Sequence, residues 1–348
     1  MELSRRSVLA AGAAGALASA SRGAAAETCR CSIDVHAHFV PPAYRDALAA
    51  SGVRLLDNFA PIPAWDPESH LAIMDEAGIA TSMLSVSSPF IAFAPEHSRA
   101  ALCRSINDYS AALVAKNPSR FGAFGLLPLP DVERSVEEIR HALDRLGLDG
   151  IGLPTNIAGL YLGDPALDKI LATINERGAT VFVHPTSPEC FGQFKLSLPP
   201  SMIEYPFDTT RTIASLLFSG AFQRYPDIRF IFSHSGGAIP FLTPRIAMMG
   251  QTPLMGSQAI AAEDIRALLR RQHYDLALSG NAAQFAALRT IAPVTQFLYG
   301  SDFPFAPEAA VMAAESDFAN LPMSDSERFA IRRGNALRLF GRLSSDAG

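Results

Sequence analysis

The sequence predicts a (β/α)8 barrel, a single domain in which eight parallel strands alternate with helices. From residue 31 onward, short apolar runs rich in β-branched and aromatic residues alternate with longer amphipathic runs. Alternation of this kind implies a parallel sheet, and strands that are apolar throughout are typical of a sheet covered on both faces. An open doubly wound sheet is the alternative, but no glycine-rich phosphate loop follows an early strand. Candidate ligand residues end strands 1, 5, 6 and 8, and their side chains could converge only in a closed TIM-type barrel.

The elements follow in order along the chain. The predicted strands are 31–38, 80–87, 121–127, 149–154, 180–185, 228–234, 274–279 and 296–301. The predicted helices are 67–78, 95–117, 131–147, 164–178, 208–224, 262–272, 281–292, 306–319 and 324–341. The helix at 131–147 has a clear start, because acidic residues occupy its first turn, where the helix dipole favours negative charge.

Two long stretches interrupt the alternation, at 39–66 after strand 1 and at 186–207 after strand 5. Long loops inside a compact domain are usually functional, and both leave the face of the barrel where active sites form. Several aromatic residues in or near these loops could supply a wall for a ligand. They are Trp65, Phe90, Phe191, Phe194 and Phe303.

The N-terminal 26 residues predict a twin-arginine export signal. Arg5 and Arg6 precede an Ala/Gly-rich, weakly apolar stretch, and Ala24–Ala26 offers a small-residue cleavage site. The barrel domain would then span 27–348, with no membrane span in the mature form and a periplasmic or secreted location. An uncleaved N-terminus is the alternative.

Composition narrows the function classes. The chain has 348 residues and a net charge of −5. No basic run is visible, which argues against nucleic acid as a partner. Of the four cysteines, Cys29 and Cys31 are too close for an ordinary disulfide and lack a second pair for a zinc site. We therefore expect no essential thiol chemistry.

Four predicted strands end in a potential metal ligand or proton donor. His36 and His38 are two residues apart on strand 1, so both point to the same face and can bind one metal ion. His184 ends strand 5 and Asp302 follows strand 8. Three nitrogens and one oxygen suit zinc, although manganese or cobalt would be tolerated. His234, at the end of strand 6, remains as an acid or base beside the metal, and the alternative is a fifth ligand or a residue that orients one.

Together these segments resemble the amidohydrolase superfamily, and within it the aminocarboxymuconate-semialdehyde decarboxylase-like branch. The resemblance covers nearly the whole chain after the export signal and is closest to 6-methylsalicylate decarboxylase-like members. The segments that carry it are 33–41, 183–185, 205–211, 233–245 and 299–304.

The resemblance implies roles for individual residues. By it, His36, His38, His184 and Asp302 match the metal ligands, and His234 matches the catalytic histidine. Arg245 matches an arginine that meets the substrate carboxylate, sometimes across a dimer interface, and the resemblance implies a homodimer. Binuclear relatives use a carboxylated lysine on strand 4, which has no lysine here, so one metal ion is expected.

Three functions are compatible with these residues. The first is a metal-dependent, non-oxidative decarboxylase of a small aromatic, hydroxybenzoate-like acid. Arg211 or Arg245 would hold an anionic oxygen, and Asp302 or His234 would protonate the ring carbon. The second is a metal-dependent hydrolase, a lactonase or amidase, in which Asp302 activates water and His234 steadies the oxyanion. The third is a binding protein without activity.

Overall fold

The computed structural model describes residues 31–56, 59–193 and 196–344, and the predicted export signal lies outside these ranges. Eight parallel strands form one sheet in which each strand pairs with the next barrel strand along the chain. They are β1 (Ser32–His38), β2 (Ile79–Ser85), β3 (Phe121–Gly125), β4 (Gly150–Pro154), β5 (Thr180–His184), β6 (Arg229–Phe232), β7 (His273–Asp275) and β8 (Phe297–Leu298). The predicted (β/α)8 barrel is confirmed.

Backbone hydrogen bonds join the first strand to the segment that follows the last. The Val35 N–H donates to the Tyr299 carbonyl at 2.9 Å, and the Asp302 N–H donates to the His36 carbonyl at 2.7 Å. The His38 N–H donates to the Phe303 carbonyl at 2.7 Å. These bonds close the sheet and place Asp302 directly beside β1.

Helices lie between the strands. They are α1 (Pro42–Ala50), α2 (Pro67–Glu76), α3 (Glu96–Lys116), α4 (Val132–Arg140), α5 (Asp168–Asn175), α6 (Glu204–Phe218), α7 (Ala221–Arg224), α8 (Ile239–Gly250), α9 (Ala262–Arg270), α10 (Ala282–Arg289), α11 (Glu308–Ala319), α12 (Asp325–Phe329) and α13 (Asn335–Leu339). Turns of π-helix at His141–Arg145 and Ala330–Gly334 continue α4 and α12. Two short hairpins pair Leu55–Leu56 with Ala60–Pro61 and Asn156–Ile157 with Leu160–Tyr161.

Helices α1 and α8 were not predicted, and prolines explain why. Pro42 is the first residue of α1, a position where the missing N–H and the fixed φ of proline are tolerated. Pro240 is the second residue of α8, in the first turn, and Pro244 lies inside that helix. Prolines normally mark loops and breaks in a sequence, so both stretches read as irregular.

Two apolar cores hold the barrel. The larger one packs helices against the strands, and the smaller one joins strand residues to the C-terminal segment. In the smaller core, the rings of Phe124 and Phe182 stack at 5.3 Å, and Phe340 meets Phe124 edge-on at 6.0 Å. Within the ranges that the structure describes, none of the helices is long and apolar enough to cross a membrane.

Candidate metal centre and active site

The four predicted ligands converge at the carboxyl ends of the strands. His36 and His38 come from β1, His184 is the last residue of β5, and Asp302 follows β8. All four are buried, and one ligand atom from each lies within 4.8 Å of those of the others. The His36 and His38 Nε2 atoms are 3.1 Å apart, and Asp302 Oδ1 lies 3.3 and 3.1 Å from them. The structure therefore brings together the set that strand alternation and barrel closure predict.

Each of the three imidazoles has an acceptor at its Nδ1 atom. His36 Nδ1 lies 3.0 Å from Asp275 Oδ2, and His184 Nδ1 lies 2.9 Å from the Pro185 carbonyl. His38 Nδ1 lies 2.9 Å from Ser85 Oγ, which itself donates to the Ala37 carbonyl. These acceptors assign a proton to Nδ1 and leave Nε2 for the centre, which is the usual support of a metal-binding histidine.

The donor set fits a divalent metal ion. With a proton on each Nδ1, two Nε2 lone pairs would face each other at 3.1 Å unless a cation lies between them. Two nitrogens bonded to one zinc ion at about 2.0–2.1 Å would be roughly 3–3.4 Å apart. Three nitrogens and one carboxylate oxygen also match the preferences of zinc and similar ions.

The charges of the residues in the cluster also fit a metal cation at this place. Burial lowers the pKa of His36, but the carboxylates of Asp275 and Asp302 outweigh it and raise the pKa to about 10. Burial would raise the pKa of Asp302, yet His36 and His38 hold it well below its usual range. Asp302 is therefore a carboxylate, and a proton on His36 can occupy the place of the metal cation.

His234 lies beside this cluster on the wall of a cavity. Its Nδ1 lies 2.9 Å from the Ala277 carbonyl, which leaves Nε2 as its exchangeable position. Its ring centroid is 4.8 Å from that of His36 and 6.1 Å from that of His184. His234 and Asp302 also have positive φ values, 52° and 64°, in the left-handed region that costs energy for residues other than glycine. Such strain is typical of functional sites.

Asp275, at the end of β7, was missed by the sequence analysis. Its Oδ2 accepts from His36 Nδ1, and its Oδ1 accepts from the backbone N–H groups of His234 at 3.1 Å and Ala277 at 3.0 Å. Asp275 thus orients both the cluster and His234. Its position at the end of a strand was the available signal, but the sequence gives no means of pairing it with His36.

Asp34, on β1, hydrogen-bonds to the backbone beside the four-residue cluster. Its carboxylate accepts from the backbone N–H groups of His36 and Ser301, both at 3.0 Å, and from Ser301 Oγ at 2.6 Å. It therefore holds β1 to the segment that follows β8, and among the described residues it has no hydrogen bond to an imidazole ring. Burial raises the pKa of Asp34 to about 7.

A cavity of about 380 Å³ opens above the cluster. His184, His234 and Asp302 line it, and both long loops contribute to its walls, as predicted. Its other lining residues are Leu56, Phe59, Ala60, Ser87, Ser88, Pro199, Pro200, Ser201, Met202, Tyr205, Pro206, Gly237, Leu278, Ser279, Gln284 and Phe305. The walls are thus mainly apolar and aromatic, with neutral polar groups between.

The aromatic residues of the wall differ from those predicted. Phe59, Tyr205 and Phe305 line the cavity, and the Phe305 ring meets that of His38 at 5.2 Å. Trp65 instead donates from Nε1 to Nδ1 of buried His70 at 2.9 Å. Of the other candidates, Phe303 packs on His70, Phe191 contacts Phe59, Phe90 lies behind His184, and Phe194 is outside the described residues.

The two predicted substrate-binding arginines lie elsewhere. Arg211, on α6, is partly exposed and lies 3.6 Å from Asp208. Arg245 is exposed on α8. Neither is among the described residues that line the cavity. Their roles in substrate binding stay predictions.

The fold and the site define a barrel protein of the amidohydrolase type, with a buried four-residue cluster on its carboxyl face that fits a metal ion. A sequence model described as amidohydrolase matches residues 33–342, so the chain belongs to this family.

Named relatives are similar over most of their length. The chain is 37% identical to the decarboxylase yanB of Aspergillus niger over 331 residues, covering 90% of this chain and 89% of the relative. It is 36% identical to the 6-methylsalicylic acid decarboxylase of Penicillium expansum over 316 residues, covering 89% and 96%.

Solved structures share the fold. The crystal structure of an amidohydrolase II superposes with a TM-score of 0.83 at 29% identity, covering 89% of this chain and 99% of that one. A dihydroxybenzoic acid decarboxylase from Polaromonas sp. JS666, solved with bound manganese and the inhibitor 2-nitroresorcinol, gives 0.75 at 22% identity, covering 89% and 97%.

Proposed function

We propose that the protein is a metal-dependent, non-oxidative decarboxylase of a small aromatic hydroxy acid resembling a salicylate. The observation that carries the proposal is that His234 lines one cavity together with His184 and Asp302, two members of a buried cluster that fits a metal ion. The similarity to named decarboxylases over about nine-tenths of the chain supports it. The apolar and aromatic walls suit a ring.

We propose one Zn²⁺ ion as the cofactor, held by His36, His38, His184 and Asp302. The three imidazoles favour zinc, and manganese is the other candidate, since the Polaromonas relative was solved with it. When bound, the ion would act as a Lewis acid and a template for the carboxylate and an ortho-hydroxyl of the substrate.

Side chains of the protein would supply the proton that the reaction needs. His36 and His38 hold Asp302 as a carboxylate, so Asp302 is a poor proton donor, and we assign the role of the acid to His234, which lines the same cavity. From its Nε2 atom, His234 would deliver a proton to the ring carbon that bears the carboxylate. The C–C bond then breaks, its electron pair restores the aromatic ring, and CO2 leaves.

We also propose a homodimer formed through α8. This helix exposes 84% of Phe241 and 56% of Met248, and Leu254, just beyond it, is also 84% exposed. Large apolar side chains exposed together mark interaction surfaces. Arg245 lies on the same helix, so a dimer would explain how it meets a substrate in the partner's cavity.

Export by the twin-arginine route, to a periplasmic or secreted location, is likewise a proposal. It rests on Arg5, Arg6 and the cleavage-site alanines alone. Replacement of both arginines by lysine is expected to leave the full-length precursor inside the cell. Export that continues in this variant would contradict the proposal.

The first experiment measures CO2 release from a panel of hydroxybenzoates by the zinc- or manganese-loaded protein. Release that chelators abolish and metal restores is the expected result. The absence of release by metal-loaded protein, together with cleavage of lactones or amides to acids, would replace the decarboxylase by the hydrolase.

His234→Ala tests the proton donor. We expect the variant to bind metal as the wild type does, because His234 is outside the four-residue cluster. Turnover should fall by about 10²–10⁴-fold, the usual contribution of general acid catalysis. Metal content and kcat are measured on the same sample. Unchanged turnover would exclude His234 as the acid.

A further inference from the structure

A second cavity of about 360 Å³ lies on the same end of the barrel, above β2 to β5. Its lining is mostly apolar. The lining residues are Pro89, Phe90, Ile91, Ala92, Arg99, Leu126, Leu127, Leu129, Pro130, Gly152, Pro154, Asn156, Ile157, Ala158, Thr186, Ser187 and Glu189. The volume is sufficient for a small organic molecule with one ring.

This cavity is separate from the candidate active site. The two cavities share no lining residue in the part of the chain that the structure describes. A partition runs between them, in which the Ser88 and Thr186 hydroxyls hydrogen-bond at 3.0 Å. Phe90 belongs to the same partition, with its ring centroid 6.3 Å from that of His184. Phe90 and Ala158 both have positive φ values, 54° and 48°, so strained backbone also borders this second cavity.

Arg99 is the one cationic residue among the described lining residues. Its Nη2 atom donates to the carbonyls of Ala92 at 3.4 Å and Ala94 at 2.9 Å, which fixes the guanidinium in place. No carboxylate of the described residues lies within ion-pairing distance of it, and its buried Nε atom has no hydrogen-bond partner among them. Burying a charged guanidinium without a counter-ion costs free energy, so this position favours an anionic ligand.

We infer that the second cavity binds a small apolar molecule that carries a single carboxylate. The planar guanidinium of Arg99 matches a carboxylate, and the leucine, isoleucine and proline side chains match a hydrocarbon body. Exposed Glu189 also lines the cavity and would repel a second negative charge, which selects a monoanion. The inference does not depend on the proposed decarboxylation.

The test counts bound benzoate by calorimetric titration of the intact, metal-loaded protein. Benzoate lacks the ortho-hydroxyl and serves as a non-reacting probe of both cavities. Arg99→Met is expected to bind one equivalent fewer than the wild type, or to bind that equivalent at least 10-fold more weakly. Arg145→Met, which removes an exposed arginine outside both cavities, is the matched control and should bind as the wild type does.

A loss of binding in Arg99→Met could also come from loosening of the turn that Arg99 holds, so a second variant is needed. Ala92→Trp keeps Arg99 and fills the cavity from its exposed side, so it should lose the same equivalent of benzoate. Equal binding by the wild type, Arg99→Met and Ala92→Trp would overturn the inference. Loss in Ala92→Trp with full binding in Arg99→Met would also overturn it, because the carboxylate would then have no role. Since no turnover is measured, failure of the proposed reaction leaves this result intact.

Discussion

Asp275 supports two of the histidines at the centre, because one carboxylate oxygen meets the His36 ring and the other meets the His234 backbone. Asp275→Asn keeps the shape but removes the charge that polarises His36. We expect metal affinity to fall about 10–100-fold, as for other residues that support metal-binding histidines. Competition with a chelator measures the affinity.

Asp108→Asn is the control for this variant, since Asp108 pairs with His141 outside the metal cluster. It should bind metal as the wild type does. Wild-type affinity in Asp275→Asn would show that His36 needs no anionic partner.

Gly300 leaves no room for a side chain next to the metal cluster. A Cβ atom there would lie 2.7 Å from Cβ of His36 and 3.1 Å from Cβ of Ala277. Gly300→Ala should therefore displace His36 and lower the metal content. Gly280→Ala is the matched control, because its nearest neighbour would be 3.5 Å away, an ordinary contact. Equal metal content in the two variants, measured after dialysis, would contradict the prediction.

At the scale of elements, the exposed apolar side chains of α8 would form the interface of the proposed homodimer. Phe241→Asp places a charge on the most exposed apolar side chain of this helix and should convert a dimer to a monomer, as light scattering would show. Phe329→Asp, on α12, is the control, since Phe329 is 57% exposed on a different helix. A wild-type protein that is monomeric at the same concentration would rule out the dimer.

The elements themselves show what a sequence pattern can and cannot predict. All eight barrel strands were predicted because buried parallel strands are short, apolar and separated by amphipathic helices. The start of α4 was predicted too, and Asp131 caps it by accepting from the Arg134 N–H at 3.0 Å. The start of α6 at Glu204 falls within the predicted loop after strand 5, because its early proline reads as a loop.

At the scale of the whole molecule, buried His70 and half-buried His273 make stability depend on pH. Burial lowers the pKa of His70 to about 3 and that of His273 to about 4. In the unfolded chain both have the ordinary pKa of about 6.5. Below pH 6.5 the unfolded chain therefore binds protons at these two histidines that the folded chain excludes, and their contribution to the free energy of unfolding falls as the pH is lowered towards 3.

His70→Gln should reduce this loss of unfolding free energy at low pH, by at most about 1.4 kcal/mol per pH unit below pH 6.5. Glutamine keeps an acceptor for Trp65 Nε1 and does not titrate. Urea unfolding at pH 7, 6 and 5 measures the slope. His97→Gln, at an exposed position, is the control and should keep the wild-type slope. An unchanged slope in His70→Gln would contradict the prediction.

The candidate site was predictable where it follows from strand ends and was not where it follows from tertiary contacts. His36, His38, His184 and Asp302 each sit at the end of an apolar run, so barrel geometry alone brings them together. The role of Asp275 depends on the turn that carries Ala277, and the cavity walls depend on how two loops fold. Neither can be predicted from the helix or strand periodicity of the sequence.

The closure of β1 on the segment after β8 has a consequence for biosynthesis. Asp34 and Ser301, which hydrogen-bond beside the cluster, are 267 residues apart in the chain. A growing polypeptide on the ribosome thus exposes His36 and His38 early, long before Asp302 has been made. The four-residue set is complete only in a nearly finished chain, so a metal ion that needs all four ligands could be held only from late in translation, and a product truncated before Gly300 would lack the carboxylate altogether.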